Sequence, residues 1–266
     1  LLSTLQLLGK VYFWIDIGGI MQGRIALVTG GMGGIGTSIA QYLLKNGAKV
    51  AVTYHREEKL ALKWQEEQKQ AGFDFVITPA DISDFESSAK MVDDVINRLG
   101  KIEILVNNAG IADDATLAKM SLEQWNKVIN ADLNSLFHVT RHVIPNMLEH
   151  KYGRIVNISS VNGQKGQFGQ SNYTAAKAGV HGFTKSLAYE VARKGITVNT
   201  VSPGYVKTRM MDKIAPEILS KIIDQIPVAR LASTEEIASL VSFLSADTSS
   251  YITGANFAIN GGLHMF

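Results

Sequence analysis

The run RIALVTGGMGGIGTSIAQYLLKNG, residues 24–47, decides how the rest of the chain is read. Residues 24–29 (RIALVT) form a short apolar run of the kind that becomes a buried parallel strand. It passes directly into the glycine turn GGMGGIG at 30–36. Residues 37–46 then place Ile39, Ala40, Leu43 and Leu44 at helical spacing, with Gly47 as a stop signal. Strand, glycine turn and helix is the order that a phosphate-binding loop requires. Glycines let the backbone turn tightly against a pyrophosphate, and the helix N-terminus adds N–H groups and positive potential. Gly30, Gly34, Ile35 and Gly36 are therefore candidate cofactor contacts.

Residues 49–54 (KVAVTY) read as the second strand. An NAD-selective site ends this strand in an acid that bonds the ribose 2′-hydroxyl. Here the end is Tyr54-His55-Arg56, with no acid before Glu57. A guanidinium at Arg56 suits a 2′-phosphate, so the expected cofactor is NADPH. A polar helix over 57–71 and a strand over 73–78 follow, and Asp81 and Ile82 lie where the next loop meets the adenine. Ser83-x-x-Glu86 reads as a capping box for a helix that stops at Gly100. A fourth strand over 101–106 ends in Asn107-Asn108-Ala109-Gly110, whose paired asparagines either hold backbone across a crevice or make a turn. Ser121-x-x-Gln124 opens a long helix to about 149, which Pro145 should bend or interrupt. His138 and His142 stand four apart on it, but no third ligand accompanies them, so packing explains them and no metal is expected.

A fifth strand over 154–159 delivers Ser160 to its C-terminal end, where ligands sit in open parallel sheets. After a Gly- and Gln-rich loop at 161–170, a helix over 173–194 begins with Tyr173 and carries Lys177 one turn on, on the same face. A free phenol titrates near ~10 and is a poor acid at neutral pH. A neighbouring ammonium favours the phenolate and brings the group toward the operating range. Ser160 can then hydrogen-bond a carbonyl oxygen that Tyr173 protonates, which are the parts needed to reduce a ketone beside a hydride donor. A sixth strand over 197–201 leads to Ser202-Pro203-Gly204-Tyr205. Residues 206–231, with Met210, Met211, Ile214, Leu219, Ile222, Ile223 and Ile226, read as one or two amphipathic helices that form a lid. Ser233-x-x-Glu236 caps a further helix, and 256–260 is a last strand. This alternation predicts an α/β fold: a Rossmann-type doubly wound parallel sheet with helices on both faces, as a single domain over 21–266.

Composition narrows the function. The chain has 266 residues, a net charge of +2 without basic blocks, and 46% hydrophobic content, which points away from nucleic acid and toward an ordinary core. The absence of cysteine excludes disulfides and thiolate sites and fits a reducing cytoplasm. Residues 1–20 are apolar, yet Lys10 and Asp16 interrupt them and no basic n-region precedes them. They suit neither a membrane span nor a signal peptide and are expected to lie upstream of a native start at Met21.

Taken together, Thr29-Gly30-x-x-x-Gly34-x-Gly36, Asn107-Asn108-Ala109-Gly110, Ser160, Tyr173-x-x-x-Lys177 and Pro203-Gly204 resemble the short-chain dehydrogenase/reductase family over essentially all of Met21 to the C-terminus. The segments RIVNISSVNGQKGQFGQSNY (154–173), TVNTVSPGY (197–205) and NGGLHM (260–265) resemble family members that reduce acetoacetyl-CoA to (R)-3-hydroxybutyryl-CoA for polyhydroxybutyrate synthesis. Reductases of 3-oxoacyl-carrier-protein thioesters are the alternative. They usually carry Arg inside the glycine turn, where this chain has Gly33. The resemblance implies NADPH, an acyl-CoA substrate, a cytoplasmic homotetramer, and no nucleic-acid or membrane partner. It implies Ser160, Tyr173 and Lys177 as catalytic residues. Cofactor contacts are implied at Asn108, Ala109, Gly110, Tyr173, Lys177, Pro203 and Gly204. Ser160, Gln167, Phe168, Gln170 and Tyr205 are implied at the acyl end, with Asp114 and Lys119 as further candidates. Asp132 stands where the family usually has Asn, twenty-eight residues before Ser160. An amide donor is thereby replaced by an acceptor-only carboxylate that can pair with Lys177.

Overall fold

The computed structural model describes residues 21–55, 57–208, 211 and 215–265. The expectations for residues 1–20, Arg56, Met210 and Ile214 lie outside these. Seven parallel strands form one sheet in the order β3-β2-β1-β4-β5-β6-β7. They are β1 (Ile25–Val28), β2 (Lys49–Tyr54), β3 (Val76–Pro79), β4 (Ile104–Asn107), β5 (Gly153–Ile158), β6 (Ile196–Pro203) and β7 (Asn256–Ile259).

Period-two alternation sends each strand's side chains to two cores. Ala26 and Val28 of β1 pack toward α1 (Gly34–Lys45), α2 (Glu58–Gln70) and α9 (Thr234–Ser245), while Ile25 and Leu27 pack toward α3 (Phe85–Leu99), α5 (Ser135–His150) and α7 (Ser171–Val191). Both faces are thus covered, which explains why β1, β4, β5 and β6 are buried along their whole length. The chain builds outward from β1 to β3 and then returns to place β4 against the other side of β1. That reversal opens a crevice at the C-terminal ends of β1 and β4.

Three local readings need correction. The helix α3 is capped by Asp84, whose carboxylate accepts from the Ser87 N–H at 2.6 Å, and not by a Ser83–Glu86 box. The Asp81 carboxylate two residues back takes the Ser83 hydroxyl and its N–H instead. The third strand begins at Val76, because Phe73 and Phe75 stack in series with Trp64 and seal α2 to the sheet edge. The long helix from Ser121 is not interrupted at Pro145, which sits inside α5. Pro145 and Arg141 are both exposed, so the lost backbone bond falls on the solvent side. The ladder changes earlier: after α4 (Leu122–Ile129), residues Asn130–Asn134 form a π-helical turn.

The loop after β5 holds a short helix, α6 (Asn162–Lys165), and the 206–231 segment contains α8 (Pro216–Asp224). The ends of the 206–231 segment are tied together: Ala232 N–H donates to Tyr205 O at 2.9 Å and Lys207 N–H to Ala232 O at 2.8 Å. The capping boxes at Ser121 and Ser233 form as read, each serine accepting from the N3 amide while the N3 side chain accepts from the cap's own N–H. Ser233→Ala is expected to cost about 1 kcal/mol, lowering Tm by roughly 2–4 °C for a chain of this size. Thermal unfolding followed by circular dichroism measures it, and an unchanged Tm would show that the box contributes nothing to α9.

Candidate active site

The β1–β4 crevice is held by hydrogen bonds that cross it. Thr29 Oγ1 accepts from the N–H groups of Asn108 (3.0 Å) and Ala109 (3.1 Å), and Asn108 Nδ2 donates to the carbonyls of Thr29 (3.0 Å) and Gly30 (3.2 Å). Gly30 N–H donates to Thr53 Oγ1 of β2 at 3.0 Å. Gly30 has φ +62°, and a Cβ on Gly36 would lie 2.2 Å from Gly30 O and 2.8 Å from Asn108 Nδ2. Only glycine leaves this turn open. Among the described residues no side chain caps α1 and no acid stands in its first turn. Its N-terminal amides and positive potential therefore face the crevice without an internal anion, which fits a pyrophosphate.

Beside this turn lies a cavity of about 500 Å³. Its walls bring together Ile35, Asn108, Gly110, Asp132, Ser160, Gln167, Gln170, Tyr173, Lys177, Pro203, Gly204 and Tyr205, residues that the sequence spreads over 171 positions (35 to 205). Asp114 and Met211 also line it. Phe168 does not: it is 87% exposed and faces a shallow depression with Thr116, Leu117 and Thr174. Lys119 is exposed and outside the cavity lining. Asp81 lies beyond the end of β3, with its Oδ2 3.4 Å from His55 Nε2. Ile82 O accepts from His138 Nδ1 at 3.1 Å, so that nitrogen carries the proton. His138 and His142 pack against the Phe85 ring, and no metal-binding group of side chains occurs among the described residues.

Lys177 is 4% exposed and Asp132 fully buried. Lys177 Nζ donates to Ile158 O at 3.2 Å and lies 3.1 Å from Asp132 Oδ2. The latter is an electrostatic contact more than a well-aligned hydrogen bond. Asp132 Oδ1 accepts from Ile111 N–H at 2.8 Å. The π turn at Asn130–Asn134 carries this carboxylate inward. Burial works to lower the Lys177 pKa, but the charges of Asp132 and Tyr173 and the contact with Asp132 outweigh it, so the ammonium is held above its ordinary value. Nζ lies 5.6 Å from the centre of the Tyr173 ring. Ser160 Oγ accepts from Asn162 N–H at 3.1 Å, which leaves its own hydrogen for a ligand. Burial raises the Tyr205 phenol above its usual range.

Sequence reasoning missed Asn162, Ser159 and His181. Ser159 Oγ donates to Lys177 O at 2.7 Å, so the 2.9 Å contact with His181 requires a hydrogen on Nε2. Burial, then the nearby Lys185 charge, lowers the His181 pKa. The signal was present, since His181 follows Lys177 by four positions on α7.

A family model described as enoyl-(acyl carrier protein) reductase matches residues 30–264. The chain belongs to the short-chain dehydrogenase/reductase family. It is 52% identical to acetoacetyl-CoA reductase of Cupriavidus necator over 245 residues, which covers 92% of this chain and 100% of the relative. It is 53% identical to acetoacetyl-CoA reductase of Allochromatium vinosum over 243 residues, 91% of this chain and 99% of that one. It is 42% identical to a 3-oxoacyl-(acyl-carrier-protein) reductase of Staphylococcus aureus over 242 residues, 91% of this chain and 98% of the relative. Family membership makes the protein an oxidoreductase that uses a nicotinamide cofactor. No helix among the described residues is long and apolar enough to cross a membrane.

Three outcomes follow from this geometry. Gly36→Ala is expected to weaken nicotinamide-cofactor affinity at least ~10-fold, because a Cβ here must displace Gly30 O or Asn108; fluorescence titration reads it, and unchanged affinity would refute the turn's assignment. Asp132→Ala leaves a buried ammonium unpaired and should cost about 3–5 kcal/mol in urea unfolding. The pH dependence has a definite sign. A raised folded-state lysine pKa contributes stability in full below the unfolded value near ~10.4 and loses it as pH rises through the folded value. Asp132→Asn should therefore shift the alkaline unfolding limb to lower pH, and coincident limbs would show that the pair does not hold the ammonium.

Proposed function

We propose that this protein reduces acetoacetyl-CoA to (R)-3-hydroxybutyryl-CoA with NADPH as hydride donor. The observation that carries the reading is the convergence of Ser160, Tyr173 and Lys177 on one cavity beside an uncapped glycine turn, in a chain half identical to acetoacetyl-CoA reductases. Gly30, Gly34, Ile35 and Gly36 would hold the pyrophosphate. Arg56 would hold the 2′-phosphate, Asp81 and Ile82 the adenine side, and Asn108, Ala109, Gly110, Pro203 and Gly204 the nicotinamide half. When bound, the nicotinamide supplies a hydride to the C3 carbon.

Ser160 Oγ–H donates to the C3 carbonyl oxygen, an orientation favoured by the Asn162 N–H that already occupies a lone pair of Ser160. Tyr173 gives its phenolic proton to that oxygen as the C–H bond forms, so the ketone becomes a secondary alcohol and the tyrosine a phenolate. The Lys177 ammonium, kept charged by Asp132, stabilises the phenolate and offers an N–H to the nicotinamide ribose. Asp132 thus acts through Lys177. Gln167, Gln170 and Tyr205 border the acyl end. Phe168, exposed and outside the cavity lining, would meet the bulkier end of the substrate only outside the cavity. By the same similarity, the working form is a cytoplasmic homotetramer that supplies polyhydroxybutyrate synthesis.

The test follows NADPH and NADH oxidation in parallel with acetoacetyl-CoA, with Tyr173→Phe as control. NADPH should be preferred at least ~10-fold, and the control should lose about 10²–10⁴-fold in kcat, the scale of general acid catalysis. Turnover with NADH alone would overturn the 2′-phosphate reading and leave the catalytic residues standing. A higher kcat/KM with the carrier-protein thioester than with the CoA thioester would move the substrate assignment to fatty-acid synthesis.

A further inference from the structure

A second cavity, of about 220 Å³, adjoins the catalytic one between the end of β6, the end of β7 and residues 226–236. Among the described residues the two cavities share Gly204 and Tyr205. Gly204 is fixed in place: its N–H donates to Ile259 O at 2.9 Å, and a Cβ there would lie 2.8 Å from Asn260 Cα. Tyr205 O accepts from Ala232 N–H at 2.9 Å, so this backbone is held as well. The half-buried ring of Tyr205 is therefore the one described side chain common to both walls. The polar side chains around the second cavity are already paired. Arg230 donates to both Glu236 carboxylate oxygens, at 2.8 and 2.7 Å. Asn260 Nδ2 donates to His264 O and its Oδ1 accepts from Gly262 N–H, each at 2.9 Å. What the walls have left to offer is the apolar surface of Ile226, Val228, Ala232 and Ile259. Such a lining suits a hydrocarbon chain and not a polar or charged ligand, which would be desolvated without a partner.

An acetoacetyl group ends one carbon beyond its ketone, whereas a longer 3-oxoacyl group continues as hydrocarbon. We infer that the Tyr205 ring is a partition that ends the acyl subsite and restricts the enzyme to short 3-oxoacyl groups. The cavity behind it is the space that a longer alkyl chain would enter once the ring is removed. This rests on the 3-oxoacyl-thioester reading and deepens it by setting chain length. The role belongs to the bulk of the ring and not to its hydroxyl.

The experiment measures kcat/KM for the CoA thioesters of 3-oxobutanoate and 3-oxooctanoate, with the reduced nicotinamide cofactor in excess. Wild type should favour the four-carbon substrate at least ~10-fold, the scale on which a fixed wall rejects added methylenes. Tyr205→Ala should raise the eight- to four-carbon ratio at least ~10-fold, since each methylene moved from water into an apolar cavity is worth about 4-fold. Tyr205→Leu, a smaller cut, should shift the ratio the same way, so the test survives an alanine variant that fails to fold. Tyr205→Phe keeps the ring and should keep the wild-type ratio. Val228 lines the second cavity and is 54% exposed, so a larger side chain there spares the core. Adding Val228→Phe to the alanine or leucine variant refills the space and should bring the ratio back toward wild type. A ratio unmoved by Tyr205→Ala and Tyr205→Leu, moved as far by Tyr205→Phe, or not restored by Val228→Phe overturns the inference and leaves the ketone reduction standing. So does a wild type that turns over both chain lengths alike. Turnover of neither thioester by wild type overturns the substrate reading and the inference with it.

Discussion

The structure depends on the seam between β1 and β4. Thr29 and Asn108 stitch it from both sides: a hydroxyl accepts two amides from the β4 end, and a side-chain amide donates to two carbonyls of the β1 end. In a parallel sheet the strands diverge after their last ladder bond, and the reversal of strand order leaves the loops on either side pointing apart. The crevice is useful only if its width is held. These bonds hold it, and the glycine at 36 lets the first helix start against the seam, where a side chain would strike Gly30 O.

The same logic extends one strand further. Asn107 Nδ2 donates to Asn157 Oδ1 at 2.8 Å, Asn157 Nδ2 to Thr184 Oγ1 at 2.9 Å, and Thr200 Oγ1 to Thr184 Oγ1 at 2.8 Å. This buried ladder joins β4, β5 and β6 to α7 directly beneath the cavity. Satisfied polar groups in a low-dielectric interior demand one geometry, where apolar packing would accept several. The Ser159–His181 contact and the bond from Ser159 to Lys177 O continue the ladder upward. The helix that carries Tyr173 and Lys177 is in this way registered against the strand that leads into Ser160.

The pairing of Asp132 with Lys177 brings together two opposed effects. Burial alone works to lower the lysine pKa, and a carboxylate fixed by Ile111 N–H reverses that tendency. Buried ion pairs contribute little net stability, yet losing one partner is expensive. The arrangement therefore holds the Lys177 ammonium in its charged form and makes that charge sensitive to any change at position 132.

Much of this was legible along the chain. Continuous apolar runs such as RIALVT and RIVNIS read as strands covered on both faces, the glycine turn marked the crevice, and Tyr173-x-x-x-Lys177 marked one helical face. Ser121 and Ser233 announced their helices because a capping box is a contact within four residues. Where local signals competed, sequence reading erred: Ser83 lost its hydroxyl to Asp81, and α3 started from Asp84. Long-range geometry was beyond reach. No periodicity distinguishes an α turn from the π turn that buries Asp132, because the difference lies in which carbonyl each N–H finds. Nothing adjacent to Asn162 reveals that Asp114, forty-eight positions earlier, orients its amide through Gln170. The sequence by itself determined the order of elements and the chemistry each carries, since these follow from local spacing and residue type. Which groups meet, which way their hydrogen bonds run and which charges are buried were decided only by the tertiary structure, because burial and directionality belong to neighbours that the chain brings in from elsewhere.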